Sequence, residues 1–361
     1  MIFVPYYELK AGMKLSSNIN LGNNKKSKAF LLKKGMILTN ENIKKIINFN
    51  VLGAYINDGR KNLILDDNLR RKSVAAIKNI FDMCENKHKI IEESAIKEIE
   101  DISIKLVNNM CKNEKTSIGI ADLQSYDVNT YLHSLSVTVI SIAIGSALHL
   151  SKKKLCDLGI CGLLHDIGKV KIPIEIIDKP SKLTEEEFNI VKTHAVLGGD
   201  YIESSKHINN DIYLGIISHH EKFDGTGYPN RLEKEDIPLF GRIIAVADVY
   251  DALTGNRPYR TPIKPLEAIE YIMAGVGKSF DYNVVKAFLK KIEPYPIGSY
   301  VKLSDKRHAK VIGDNITNPL RPIIKILQEN GKEGEIIDLQ NDLNARNIII
   351  LDINYNYLIK K

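Results

Sequence analysis

His219-His220-Glu221-Lys222-Phe223-Asp224-Gly225-Thr226-Gly227-Tyr228-Pro229 is a poor recipe for a hydrophobic core and a good one for holding a cation beside a phosphate. It joins adjacent imidazoles and a carboxylate to a glycine-rich turn. Glycine tolerates the positive φ that tight turns use and Pro229 fixes the exit, so the segment reads first as a tight turn. Upstream, the apolar run Leu158-Gly159-Ile160-Cys161-Gly162-Leu163-Leu164 ends in His165-Asp166-Ile167-Gly168-Lys169. A buried helix thus presents an imidazole and a carboxylate from its end. Asp248 lies inside Ile243-Ile244-Ala245-Val246-Ala247-Asp248-Val249-Tyr250, another near-continuous apolar helix. Such groups cost several kcal/mol when buried alone, so a cation or a dense hydrogen-bond network must offset them.

Of nine histidines, His133, His165, His194, His219 and His220 are predicted on or at the ends of helices of one domain, each with polar or acidic company. His88, His149, His207 and His308 read as ordinary structural or solvent-facing residues. Five imidazoles with Asp166 and Asp248 suit two divalent transition metals such as iron, manganese, cobalt or nickel. An all-oxygen magnesium site needs no imidazole. The competing reading is a buried His/Asp network without metal.

The chain resembles the HD-GYP family of metal-dependent cyclic di-GMP phosphodiesterases. The likeness runs from about Thr130 to Phe288. It rests on His133-Ser134, His165-Asp166-x-Gly168-Lys169, His194, His219-His220-Glu221-x-x-Asp224-Gly225-x-Gly227-Tyr228-Pro229 and Asp248-x-x-Asp251-Ala252-Leu253-Thr254, in family order. The resemblance implies one metal on His133, His165, Asp166 and Asp248, and a second on His194, His219 and His220, with Asp166 shared. Asn129 stands where some members carry a glutamate for a third metal, so two are expected. Two such ions lower the pKa of bound water from about 15.7 toward neutrality and neutralise charge on the phosphodiester. Expulsion of the ribose 3′ oxygen then gives pGpG, and a second cut gives GMP.

Lys169 reads either as a helix-end surface lysine or as a catalytic cation on a non-bridging phosphate oxygen. Arg257 and Arg260 resemble the family's phosphate clamp, with solvated loop arginines as the alternative. Glu221 is expected to orient a ligating histidine. The Asp224–Pro229 loop is linked in the family to partner proteins of GGDEF type. Three rivals remain: another HD-type phosphohydrolase, a catalytically silent cyclic-dinucleotide receptor, and a related substrate such as a mixed cyclic GMP–AMP dinucleotide.

The rest of the chain frames this domain. At 361 residues, 44% hydrophobic and 26% charged, the composition is that of an ordinary globular protein of two or three domains. Cys84, Cys111, Cys156 and Cys161 form no C-x-x-C pair, which points to a reduced, cytoplasmic protein without a disulfide framework. No signal peptide is read at the N-terminus, and the longest apolar stretch, Val137 to Leu150, is too short to span a bilayer. The net charge of +7 is diffuse, which argues against a nucleic-acid partner. The predicted fold class is mainly α. An all-helical HD-type catalytic domain (118–293) follows a small α+β N-terminal module (1–66) and a helical connector (67–117) with a stripe suited to dimerisation or to packing on its own chain. A small β-rich C-terminal domain (294–361) closes the chain. Helices are predicted from about Asn40 to Asn48 capped by Thr39 or Asn40, after Thr184 with a capping box to Glu187, and after Asp281.

Overall fold

The computed structural model describes residues 2–16, 18–20, 30–49, 53–57, 65, 67–85, 91–111, 118–119, 130–179, 181–203, 208–255, 263–295, 297–315, 318–327 and 333–353. Its packing divides the chain into two units: Met1–Leu63, Gly119–Tyr126 and Ile292–Lys361 in one, Ile64–Ile118 and Asp127–Lys291 in the other.

In the first unit, strand Ile2–Pro5 pairs antiparallel with Gly53–Ile56, and Ile19–Asn20 pairs with Phe30–Leu32. Helix α1 (Asn40–Asn48) opens on a reciprocal capping box between Thr39 and Asn42. Val4, Met13, Leu15, Leu38, Ile46 and Ile56 form this module's core. The C-terminal segment is an antiparallel sheet in the order Glu333–Asp338, Ile323–Leu327, His308–Gly313, Tyr300–Leu303, Ile350–Ile353. Alternation buries Val301, Leu303, Ala309, Val311 and Ile324 on one face. Glu333–Asp338 is a strand although its residues Glu-Gly-Glu carry no β signal.

The second unit is helical, and its order of elements follows the apolar periodicity. Helices α2 (Asp67–Glu85) and α3 (Glu93–Cys111) bury single stripes, Ile77-Ile80-Phe81-Cys84 and Ala95-Ile96-Ile99-Ile102-Leu106. Those stripes pack on α4 (Thr130–Ala147) and α5 (Lys152–Leu164). Helix α4 is buried without interruption from His133 to Gly145, as befits an element covered on every side. Among the described residues it alone has the length and hydropathy to cross a membrane, but 72% of that stretch is buried inside the unit. Thr138 Oγ1 donates to the Ser134 carbonyl at 2.7 Å, while Ser141 Oγ is buried without a hydrogen bond.

After α5 a 3₁₀ turn (Ile167–Lys171) leads to the short α6 (Ile174–Ile177) and to α7 (Glu185–Lys192), which starts with the predicted Thr184/Glu187 capping box. Helices α8 (His194–Glu203) and α9 (Asn210–Ser218) follow. Helix α10 (Leu239–Thr254) packs on α4 and α9, then α11 (Pro265–Ala274) and α12 (Tyr282–Lys291) close the bundle. Asp281 caps α12, its Oδ1 accepting from the Asn283 and Val284 N–H groups.

Candidate metal centre

Five elements deliver polar groups to one place in this apolar bundle. His133 projects from α4, and His165 with Asp166 from the end of α5. His194 begins α8, His219 and His220 follow α9, and Asp248 lies in α10. His165, Asp166, His194 and His219 are each no more than 1% exposed. Their ligand atoms fall into two adjacent sets, His133/His165/Asp166 and His194/His219/His220, each within 4.8 Å of one another.

Hydrogen bonds fix which ring nitrogen faces the centre. His165 Nδ1 lies 2.8 Å from the Gly162 carbonyl, His194 Nδ1 2.6 Å from that of Val191, and His219 Nδ1 2.5 Å from that of Ile216. A carbonyl only accepts, so each Nδ1 carries the proton and each Nε2 presents a lone pair. Helix geometry produces the pattern, because each partner is the carbonyl three residues back. The Nε2 atoms of His194 and His219 then oppose each other at 3.3 Å, and His165 Nε2 is buried without a hydrogen bond. Two facing lone pairs and an orphaned third fit a bound cation and fit a neutral network poorly.

Asp166 stands between the two sets. Its Oδ1 is 3.5 Å from His194 Nε2, while its Oδ2 is 3.5 Å from His165 Nε2 and 3.7 Å from His133 Nε2. Burial opposes its ionisation, but the Lys169 ammonium and the surrounding histidines hold its carboxyl well below the usual range. Lys169 Nζ lies 2.6 Å from Oδ2. Asp248 adjoins the first set, with Oδ1 3.1 Å from His133 Nε2.

The loop after the histidines is built around Glu221. Its oxygens accept from the backbone N–H groups of Asn230 at 2.7 Å and Leu232 at 3.2 Å. It therefore holds the loop's exit instead of orienting a histidine ring, a correction to the role expected from sequence. Asp224 Oδ1 accepts from Thr226 N and Oγ1, closing the turn in which Gly225 takes φ +76. A Cβ on Gly227 would lie 2.2 Å from Lys222 N, so only glycine fits there. Tyr228 then stacks on His220 at 4.8 Å and 28°, and Pro229 follows through a cis bond.

Residues 105–284 match the HD domain family. Cyclic di-GMP phosphodiesterase PA4108 of Pseudomonas aeruginosa is 35% identical over 226 residues, 63% of this chain and 54% of that protein. Cyclic di-GMP phosphodiesterase PdeB of Borreliella burgdorferi is 31% identical over 217 residues, 60% and 56% respectively. The chain carries an HD domain of the HD-GYP family. It spans about half the length of these curated relatives. In fold it is similar to Bd1817, an HDG"Y"P protein from Bdellovibrio bacteriovorus, with a TM-score of 0.52 at 18% identity, over 80% of this chain and 97% of that one.

The HD-GYP site thus gathers His133, His165, Asp166, His194, His219, His220 and Asp248, with Lys169 on the shared carboxylate. Arg257 and Arg260 lie outside the described residues, as does Asn129. One neighbour of the site was part of the quoted motif but was given no role in the sequence reading. Asp251 lies three residues after Asp248 and places Oδ2 2.6 Å from His133 Nδ1. The i, i+3 spacing was the available signal, since it puts both carboxylates on one face of α10.

Burial holds the HD-GYP imidazoles of His165 and His194 below their ordinary range, His219 well below it, and His220 down to about 3. For His133, burial acts downward too, but hydrogen bonds to Asp248 and Asp251 outweigh it and carry it up to about 9. The four depressed groups stay neutral in the fold while their unfolded counterparts take protons below about pH 6.5. Their contribution is present above that pH and is lost as pH falls. The His133 contribution runs the other way, being complete below about pH 6.5 and lost as pH rises through about 9. Four groups against one predict that chelator-treated protein is less stable toward urea at pH 5.5 than at pH 7. Each imidazole adds a slope of up to about 1.4 kcal/mol per pH unit. A flat profile between those pH values contradicts the buried neutral cluster.

Proposed function

We propose that this chain is a metal-dependent phosphodiesterase that hydrolyses cyclic di-GMP to pGpG or GMP, acting in the cytoplasm in second-messenger signalling. The observation that carries the reading is the pair of adjacent donor sets sharing Asp166, with three Nε2 lone pairs directed inward by backbone hydrogen bonds. The names of the curated relatives support the substrate.

In this reading His133, His165, Asp166 and Asp248 hold one divalent transition metal and His194, His219 and His220 the other. Nitrogen-rich ligation favours iron, manganese, cobalt or nickel over magnesium. Bound, such ions supply Lewis-acid charge neutralisation and an acidified water. The chain's own residues do the rest. Asp166 fixes the spacing of the two sets. Lys169, 28% exposed at its side chain, keeps its ammonium at the site's edge, where a non-bridging phosphate oxygen binds. Arg257 and Arg260 complete the phosphate clamp. The Tyr228 loop borders the site, with Phe188 edge-on to Tyr228 and Lys192 above both rings, and provides a surface for a GGDEF-type partner.

The test is a product assay with purified protein, cyclic di-GMP and a panel of divalent ions including anaerobic Fe(II). Metal-dependent appearance of pGpG or GMP, abolished by chelation and restored by one ion of the panel, is the expected result. Saturable dinucleotide binding without turnover on any metal replaces this reading with a receptor. Turnover only of a mixed cyclic GMP–AMP dinucleotide, or of a simple nucleotide, replaces the substrate.

A further inference from the structure

His133 is gripped at both ring nitrogens by α10. Asp248 Oδ1 faces Nε2 at 3.1 Å and Asp251 Oδ2 faces Nδ1 at 2.6 Å. The two carboxylates are one turn apart on the same helix, yet they stand in different relations to the cluster. Nε2 is the nitrogen that also approaches Asp166, at 3.7 Å, so Asp248 lies on the donor side of the ring. Asp251 lies behind it, on the nitrogen turned away from the donor set. His165, His194 and His219 each have a neutral carbonyl in that position, three residues back in the chain. His133 has a carboxylate supplied by another helix.

We propose that Asp251 is a positioning residue: it locks the His133 ring with Nε2 toward the first donor set and makes that imidazole a stronger ligand than its three neighbours. The inference rests on the metal-dependent reading above. A carboxylate behind an imidazole fixes the ring's orientation and raises its basicity as a ligand, and loss of such a partner typically costs about 10–100-fold in metal affinity. Because the Asp251 contact is to His133 and not to the second set, the loss falls on one site. The ring's orientation is thereby tied to the crossing of α4 and α10 rather than to its own helix.

The test is metal binding by the full chain, titrated with Mn(II) and with Co(II) against a chromogenic chelator, for wild type, Asp251→Asn and Asp251→Ala. Wild type is expected to bind two ions. Asp251→Ala keeps one affinity unchanged and weakens the other about 10–100-fold. Asp251→Asn, which retains an oxygen acceptor but no charge, falls between them and decides the matter if the alanine variant does not fold. Equal weakening of both ions, or unchanged binding of both, overturns the positioning role and leaves the two-site reading standing. Failure of the wild-type chain to bind two ions overturns both.

Discussion

With the chain hydrolysing cyclic di-GMP as proposed, Asp166→Ala is expected to lower that turnover by at least about 10³-fold, with loss of tightly bound metal and retention of the fold. Asp166 is the carboxylate whose two oxygens face different donor sets, Oδ1 toward His194 and Oδ2 toward His165 and His133. Alanine leaves neutral imidazoles on one side and two imidazoles with Asp248 on the other, and it removes the one negative charge common to both. Charge neutralisation by metal contributes several kcal/mol to phosphodiester cleavage, and about 4 kcal/mol corresponds to three powers of ten. The fold should survive, because a buried charge is removed rather than stranded. Lys169, its ion-pair partner, is already 28% exposed and can turn to water. Metal content by elemental analysis, product formation and a melting curve on the same preparation check the three parts. Wild-type metal content and turnover in this variant would sink the shared-carboxylate reading.

Much of this site was legible in the sequence because the chemistry is locally expensive. A carboxylate inside Ile243–Tyr250 and a His-Asp pair ending Leu158–Leu164 announce themselves against apolar surroundings. The capping box at Thr184 was equally plain, being written in four consecutive residues, whereas for α1 the sequence offered Thr39 or Asn40 as the cap and the structure uses Thr39. What was not legible depends on helix crossings. That Asp251 reaches His133 is decided by how α10 lies on α4, and the Asp248-x-x-Asp251 spacing offers only the opportunity. Glu221 was read as a partner for a ring because of its neighbours in sequence. The loop's return path brings Asn230 and Leu232 to it instead, nine and eleven residues later. Strand Glu333–Asp338 carries too few β-branched residues to stand out and is paired in place by Ile323–Leu327.

Gly168 shows how far the fold and the site are one construction. A Cβ at this position would fall 2.0 Å from the His194 carbonyl oxygen and 2.5 Å from Gly198 N. Both are backbone atoms, so no rotamer change can make room, and the 3₁₀ turn must separate from α8. Overpacking of this kind costs about 3 kcal/mol or more, which in a unit of this size lowers the melting temperature by roughly 6 °C or more. The damage is also chemical. The turn begins next to Asp166 and carries Lys169, while α8 begins with His194, so separation pulls Asp166 Oδ1 from His194 Nε2 and loosens the second donor set first. With two ions bound as proposed, Gly168→Ala is therefore expected to combine a large loss of stability with weakened binding of one of them, measured by thermal melting and by chelator competition. Gly313→Ala is the control, since its Cβ would meet only the Ile323 side chain, at 3.3 Å, and a small change is expected there. If Gly168→Ala melted like wild type, the turn and α8 would not be in backbone contact, and the glycine between the metal-site aspartate and its lysine would need another explanation. A variant that melts low yet holds both ions at wild-type affinity would instead separate packing from ligation, and would show that His194 keeps its place by its own hydrogen bond to the Val191 carbonyl.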